Sequence, residues 1–201
     1  MRVEELDAYR AGYREGMPYS EHLAFYDRLA LEHPEQNYYS LPLAREFIQW
    51  CEPDTVLELG GWDGGLASEI LPDSLIRRWL NYEIAKVPQV CTDPRYTRIV
   101  STNWLWEMKP RSASAFVASH SLEHLTAEHL DKLLWALDAK FAYVDVPLFD
   151  VPHDWNGSST THALELSIVQ FDEMWAWHGW TIEQDFFRDG DIPSHVRFLR
   201  Q

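Results

Sequence analysis

The sequence predicts an α/β fold: a doubly wound, mostly parallel sheet with an antiparallel edge strand, in a single domain that opens with helices. Three observations predict it. Strand-like and helix-like patterns alternate from Thr55 to Val146, an order that calls for a parallel sheet covered on both faces. Within it, TVLELGGWDGGLASEIL, Thr55 to Leu71, passes from a short apolar run through an acidic residue into a glycine cluster and then a helical pattern. Glycine is suited to such a loop because it turns with positive φ and lets backbone lie close to a neighbour without a Cβ between. The second strand-like run, IRRWLNYEI, carries Glu83, 23 positions after Gly60, where a βαβ unit places a carboxylate against ribose hydroxyls. Loop and acid together point to an adenosine-containing ligand.

Taken in order, residues 1–50 read as helical. Ser20 opens one helix, and residues 41–50 form another with Leu43, Phe47 and Ile48 on one face. Strands follow at 55–59, 78–82, 97–101, 115–119 and 141–146, separated by helical patterns at 66–71, 105–108 and 127–139. After the fifth strand, VPLFDVPHDWNGSSTTH brings two prolines, a glycine and a Ser/Thr cluster, the composition of a long loop; ordered loops of that length tend to carry function. A helix at 167–177 and two strands at 180–187 and 196–200 close the chain as the antiparallel edge.

A length of 201 residues suits one domain with one core. The expected organisation is a helical segment 1–50, a ligand-binding core 54–149 and a segment 150–201 holding the loop and last strands. The formal charge of −15 disfavours nucleic acid and anionic membrane as partners, because both are bound through clustered Lys and Arg. Cys51 and Cys91 have no metal-like spacing and read as free core thiols of a reduced, cytoplasmic protein. No apolar run reaches membrane length.

Two segments carry a resemblance. ELGGWDG and ASHSLEHL, with Gly60 and Ser119 59 residues apart, resemble the first and fourth motifs of the class I S-adenosylmethionine-dependent methyltransferases, over about residues 54–149. The resemblance implies a Rossmann-like fold, S-adenosylmethionine as cofactor and methyl transfer to a small-molecule or peptide-like acceptor. It implies a cofactor site made of Glu58, Gly60, Gly61, Trp62, Asp63, Gly64, Glu83, Ile84, Asn103, Trp104, Ser119 and His120. Glu58 is expected under the loop, accepting backbone N–H groups or reaching the methionine amino group, and Asp63 either belongs to the site or caps the next helix. Glu83 takes the ribose or is a strand-end carboxylate. Asn103 faces adenine or forms an Asx-type turn, and Trp104 stacks on adenine or belongs to the core. One departure stands out: Trp62 occupies the family's middle glycine position.

His120, His153 and His162 are the candidate bases, since an imidazole takes up a proton near neutral pH. His120 is preferred because it follows a central strand. Loop histidines exposed to solvent are the plainer reading of the other two. His120, Glu123 and His124 also spell the H-x-x-E-H signature of one zinc hydrolase group, which would need both histidines inside one helix, whereas His120 directly follows a strand-like run. No metal is therefore expected. Two further alternatives stay open: a non-catalytic binding protein of the same fold, and a nicotinamide-dependent oxidoreductase, the latter disfavoured because the loop lacks a plain G-x-G-x-x-G.

Overall fold

The structure is a computed structural model that describes residues 8, 12, 19–32, 41–84, 86–100, 111–147, 164, 166–188 and 194–201. Helices α1 (Tyr19–Glu32) and α2 (Leu41–Cys51) precede β1 (Thr55–Leu59), α3 (Gly65–Ile70), β2 (Arg78–Glu83), β3 (Tyr96–Val100) and β4 (Arg111–Ser119). Then come α4 (Ala127–Ala136), β5 (Leu137–Pro147), α5 (Ile168–Trp177), β6 (Thr181–Arg188) and β7 (Ser194–Arg200).

The seven strands lie in the order β3-β2-β1-β4-β5-β7-β6. Strands β1 to β5 pair in parallel, and β7 runs antiparallel to both β5 and β6. The reversed strand is therefore β7, inserted inside the sheet, while the outermost strand β6 points the same way as β1 to β5. Chain order reverses between β1 and β4, so the crevice beyond their carboxyl ends is the topological switch point at which open α/β sheets bind ligands.

Alternation along the strands divides the core into two layers. One joins Leu57, Leu59, Phe116, Ala118, Ala142 and Val144 to Leu130, Leu133 and Leu134 of α4 and to Phe171 and Trp175 of α5. The other joins Val56, Trp79, Val117, Tyr143 and Phe198 to Ala44, Phe47 and Ile48 of α2 and to Leu66, Ala67 and Ile70 of α3. Caps fix two helix starts: Thr126 accepts the His129 N–H at 3.2 Å, and Ser167 with Gln170 forms a capping box on α5.

The helix expected at 127–139 ends at Ala136, and the strand expected from 141 begins at Leu137. Leu137, Asp138, Ala139 and Lys140 alternate buried and exposed, a two-residue period that overrides helix propensity once β4 offers a partner. The helical pattern at 105–108 lies outside the described residues. Cys91 is buried and Cys51 partly so; both are free thiols, and burial pushes Cys51 up to about 12. Among the described residues no helix is long and apolar enough to cross a membrane.

Candidate functional site

The loop from β1 to α3 is held down by the ends of β1, β2 and β3. The Gly60 N–H donates to the Tyr82 carbonyl at 2.9 Å, Gly61 N–H to Asn81 Oδ1 at 3.0 Å, and Trp62 N–H to Glu83 Oε2 at 2.6 Å. Asn81 Nδ2 donates in turn to the Tyr96 hydroxyl at 2.9 Å. Asp63 Oδ1 accepts the Gly65 N–H at 3.0 Å, so its side chain steadies the first turn of α3. Three consecutive loop N–H groups thus receive partners from β2, and two of those partners are polar side chains buried on the face toward α2 and α3.

Two glycines are explained by what a side chain would strike. A Cβ on Gly61 would lie 2.3 Å from the Glu58 carboxyl carbon, and one on Gly64, whose φ is +83°, would lie 2.5 Å from the Tyr96 hydroxyl. The loop therefore settles directly on protein, and the glycines serve that close approach. Trp62 also adopts a left-handed conformation, with φ of 50°.

Glu58 lies beneath Gly61, 2 % exposed, and its Oε2 accepts the Trp79 indole N–H at 2.7 Å. Burial pushes its carboxyl up to about 8; the Trp79 bond works the other way, and the charges of Glu83 and Asp63 add to the rise. The bond that the structure gives Glu58 comes from an indole rather than from loop backbone. Glu83, also 2 % exposed, accepts Trp62 N–H on one oxygen and the Ile84 N–H at 2.7 Å on the other.

The second half of the site is built where β4 ends. After Ser119 the chain turns at His120, whose φ is 49° and whose N–H donates to the Asp145 carbonyl at 2.8 Å. The imidazole sits among three charged side chains. Arg188 Nη2 is 2.8 Å from Nε2, Asp145 Oδ1 is 3.5 Å from the same nitrogen, and Glu123 Oε1 is 3.8 Å from Nδ1. Arg188 also donates to Ser194 Oγ at 3.1 Å and stands 3.6 Å from Asp145 Oδ2. Burial alone would lower the imidazole, yet the neighbouring Asp145 and Glu123 carboxylates raise it above its ordinary value. The short Arg188 contact needs a lone pair on Nε2, so it belongs to the neutral ring carrying its proton on Nδ1. Burial pushes Glu123 up to about 7. Asp145, fully buried, is held below the usual range because the neighbouring His120 and Arg188 outweigh burial.

These shifts fix a pH dependence. Glu58 and Glu123 hold protons in the folded chain that the unfolded chain releases near pH 4.5, so stability should fall as pH rises from about 4.5 to 8. The His120 contribution, present below its ordinary value of 6.5, is lost in the same direction; Asp145 opposes only below its ordinary 3.8. Urea unfolding at pH 5, 6.5 and 8 should show this decline. With each pKa unit worth about 1.4 kcal/mol, Glu58→Gln should shrink the difference between pH 5 and pH 8 by a few kcal/mol. A mutant whose profile parallels the parent's would show that Glu58 does not titrate in this window.

The letters H-x-x-E-H do not form a helical pair of ligands. His120 precedes a short 3-10 turn, Leu122–His124, and His124 packs edge-on against Tyr26 of α1 with ring centres 6.0 Å apart. Among the described residues no group of three or more His, Cys, Asp or Glu side chains is arranged to hold a metal ion.

The expected residues Glu58, Gly60, Gly61, Trp62, Asp63, Gly64, Glu83 and Ile84 come together around one loop, and Ser119 and His120 stand at the neighbouring strand end. Asn103, Trp104, His153 and His162 lie outside the described residues. The sequence reading missed Asn81, Asp145 and Arg188. Alternation could have found Asn81, two positions before Glu83 on the same strand face. Arg188 offered no such signal, because it reaches His120 only through the late β6–β7 hairpin.

No protein-family model matches the sequence, and no curated protein matches it. Solved structures do. Magnesium protoporphyrin IX methyltransferase from Synechocystis PCC 6803, solved with bound S-adenosylhomocysteine, superposes with a TM-score of 0.70 at 9 % identity, over 92 % of this chain and 100 % of that one. Mitomycin 7-O-methyltransferase gives 0.64 at 17 % identity, over 98 % of this chain and 66 % of that one. The 4+2 cyclase SpnF gives 0.59 at 13 % identity, over 80 % and 79 %. The chain has the fold of the class I S-adenosylmethionine-dependent methyltransferases.

Proposed function

We propose that the chain binds S-adenosylmethionine across the carboxyl ends of β1, β2 and β4 and transfers its methyl group to a small-molecule or peptide-like acceptor. One observation carries this reading: the Glu83 carboxylate stands at the end of β2, tied to the Trp62 N–H of the glycine loop at 2.6 Å. A carboxylate at the end of the second strand of a βαβ unit is placed to accept from ribose hydroxyls. The glycine loop and the buried polar atoms beside it fit the methionine end.

The bound sulfonium supplies a methyl group already activated by positive charge, so the protein's part is alignment and exclusion of water. The loop and Glu83 orient the nucleoside. His120, at the end of β4, takes the proton of an acceptor hydroxyl or ammonium. Because Arg188 donates to Nε2 at 2.8 Å, a proton arriving there replaces that hydrogen bond, and Asp145 beside it stabilises the imidazolium. The carboxylates Glu83, Glu123 and Asp145 favour a neutral or cationic acceptor over a phosphorylated one. A small-molecule or peptide-like acceptor, rather than nucleic acid, fits a chain of formal charge −15.

A specific observation keeps a second reading in play: the same fold serves a 4+2 cyclase, so fold does not by itself assign methyl transfer. A radiolabelled methyl donor, incubated with the chain and a panel of amines, hydroxyls and thiols, separates the two. Label should move to an acceptor; tight cofactor binding with no transfer to any member of the panel would favour the non-methylating reading.

A further inference from the structure

The loop region contains two buried donors with no hydrogen-bond partner among the described residues, Trp62 Nε1 and Ser121 Oγ. Ser121 lies against the glycine loop that carries Trp62: a Cβ on Gly60 would lie 2.6 Å from Ser121 Cβ and 3.4 Å from Ser121 Oγ. Neither is in its ordinary role. Ser121 precedes the Leu122–His124 turn, where a serine normally caps, yet its side chain makes no cap bond. Trp62 adopts a left-handed conformation that bulky residues rarely take, with its N–H bonded to Glu83 and its carbonyl 3.4 Å from Arg98 Nη1. Buried polar groups usually find partners, and a native exception calls for one.

The chemistry of the pair selects that partner. An indole N–H can only donate, and a hydroxyl can donate, so the missing group is an acceptor. The carboxylates nearby, Asp63 and Glu83, suit an ammonium and cannot serve an anion. Resting on the cofactor reading above, we infer that Trp62 Nε1 and Ser121 Oγ are donors for the carboxylate at the amino-acid end of S-adenosylmethionine. The tryptophan at the family's middle glycine position is then a ligand-binding residue and not an obstruction.

Calorimetric titration of S-adenosylhomocysteine and of 5′-methylthioadenosine, which lacks the amino-acid end, into the parent chain, Trp62→Phe and Ser121→Ala tests this. Phenylalanine keeps the ring and removes the donor. Each substitution should weaken S-adenosylhomocysteine about tenfold, the scale of one hydrogen bond to a charged group, and leave 5′-methylthioadenosine within about twofold. Ser121→Ala should unfold at the same urea concentration as the parent or a higher one, because it removes an unpaired buried hydroxyl. Parent-like affinity for S-adenosylhomocysteine in both mutants would overturn the assignment, as would equal losses for the two ligands, which would mark a structural role. A parent chain that binds neither ligand would overturn the cofactor reading beneath it.

Discussion

Gly61→Ala should cost about 2–4 kcal/mol of stability and abolish saturable binding of S-adenosylhomocysteine. The added Cβ would stand 2.3 Å from the Glu58 carboxyl carbon, far inside contact distance, and Glu58 has nowhere to go. It is 2 % exposed and bonded to the Trp79 indole at 2.7 Å. Either the loop lifts, breaking the Asn81 bond to Gly61 N–H and the Glu83 bond to Trp62 N–H, or the carboxyl moves and leaves a buried acid and a buried indole unpaired. Both routes distort the segment proposed to hold the cofactor. Because the fault is a clash between two named groups, Glu58→Ala combined with Gly61→Ala should recover part of the stability that Gly61→Ala loses, a coupling that a double-mutant cycle in urea measures. A Gly61→Ala protein within about 0.5 kcal/mol of the parent, still binding ligand, would mean that the loop does not sit on Glu58.

Once an acceptor that must lose a proton is identified, His120→Asn should lower turnover about a hundredfold to ten-thousandfold with cofactor affinity nearly unchanged. Asparagine can still accept from Arg188 but cannot carry a proton at neutral pH. The turnover of the parent should rise with pH through the His120 pKa, which lies above 6.5 because Asp145 and Glu123 overcome the effect of burial; the mutant should lose that limb. The same two carboxylates that raise the pKa also hold the ring, so the pH profile is the readout that separates a base from a strut. Full turnover in His120→Asn, or loss of cofactor binding instead, would reassign the residue to the wall of the site.

The sheet was legible in the sequence because its strands are apolar runs between glycine and helical signals, and Thr55 to Leu71 contains a strand, its loop and a helix within one short span. The order of the last two strands was not. Nothing local distinguishes a hairpin added at the edge from one whose second strand inserts beside β5, since the choice is made by pairing Asp145 with Val196 and Phe186 with the same residue from the other side. That Glu58, the glycines and Glu83 gather around one loop was legible for the same reason as the sheet: they lie on consecutive elements at spacings that a βαβ unit enforces. The His120 network was only half legible. His120 and Glu123 are close in sequence, but Asp145 reads as one acid in a hydrophobic strand, and Arg188 is 68 positions from His120. Long-range side-chain contacts of that kind leave no periodicity to read.

The central claim is that the glycine loop and Glu83 form a nucleoside site, and the most direct test is calorimetric titration of S-adenosylhomocysteine into the parent chain and Glu83→Ala. The expected result is one ligand per chain for the parent. The mutant should bind roughly tenfold to a hundredfold more weakly, the loss of a charge-assisted contact to two hydroxyls worth about 1.5–3 kcal/mol. A parent chain with no saturable heat, or a mutant whose dissociation constant equals the parent's, would contradict it.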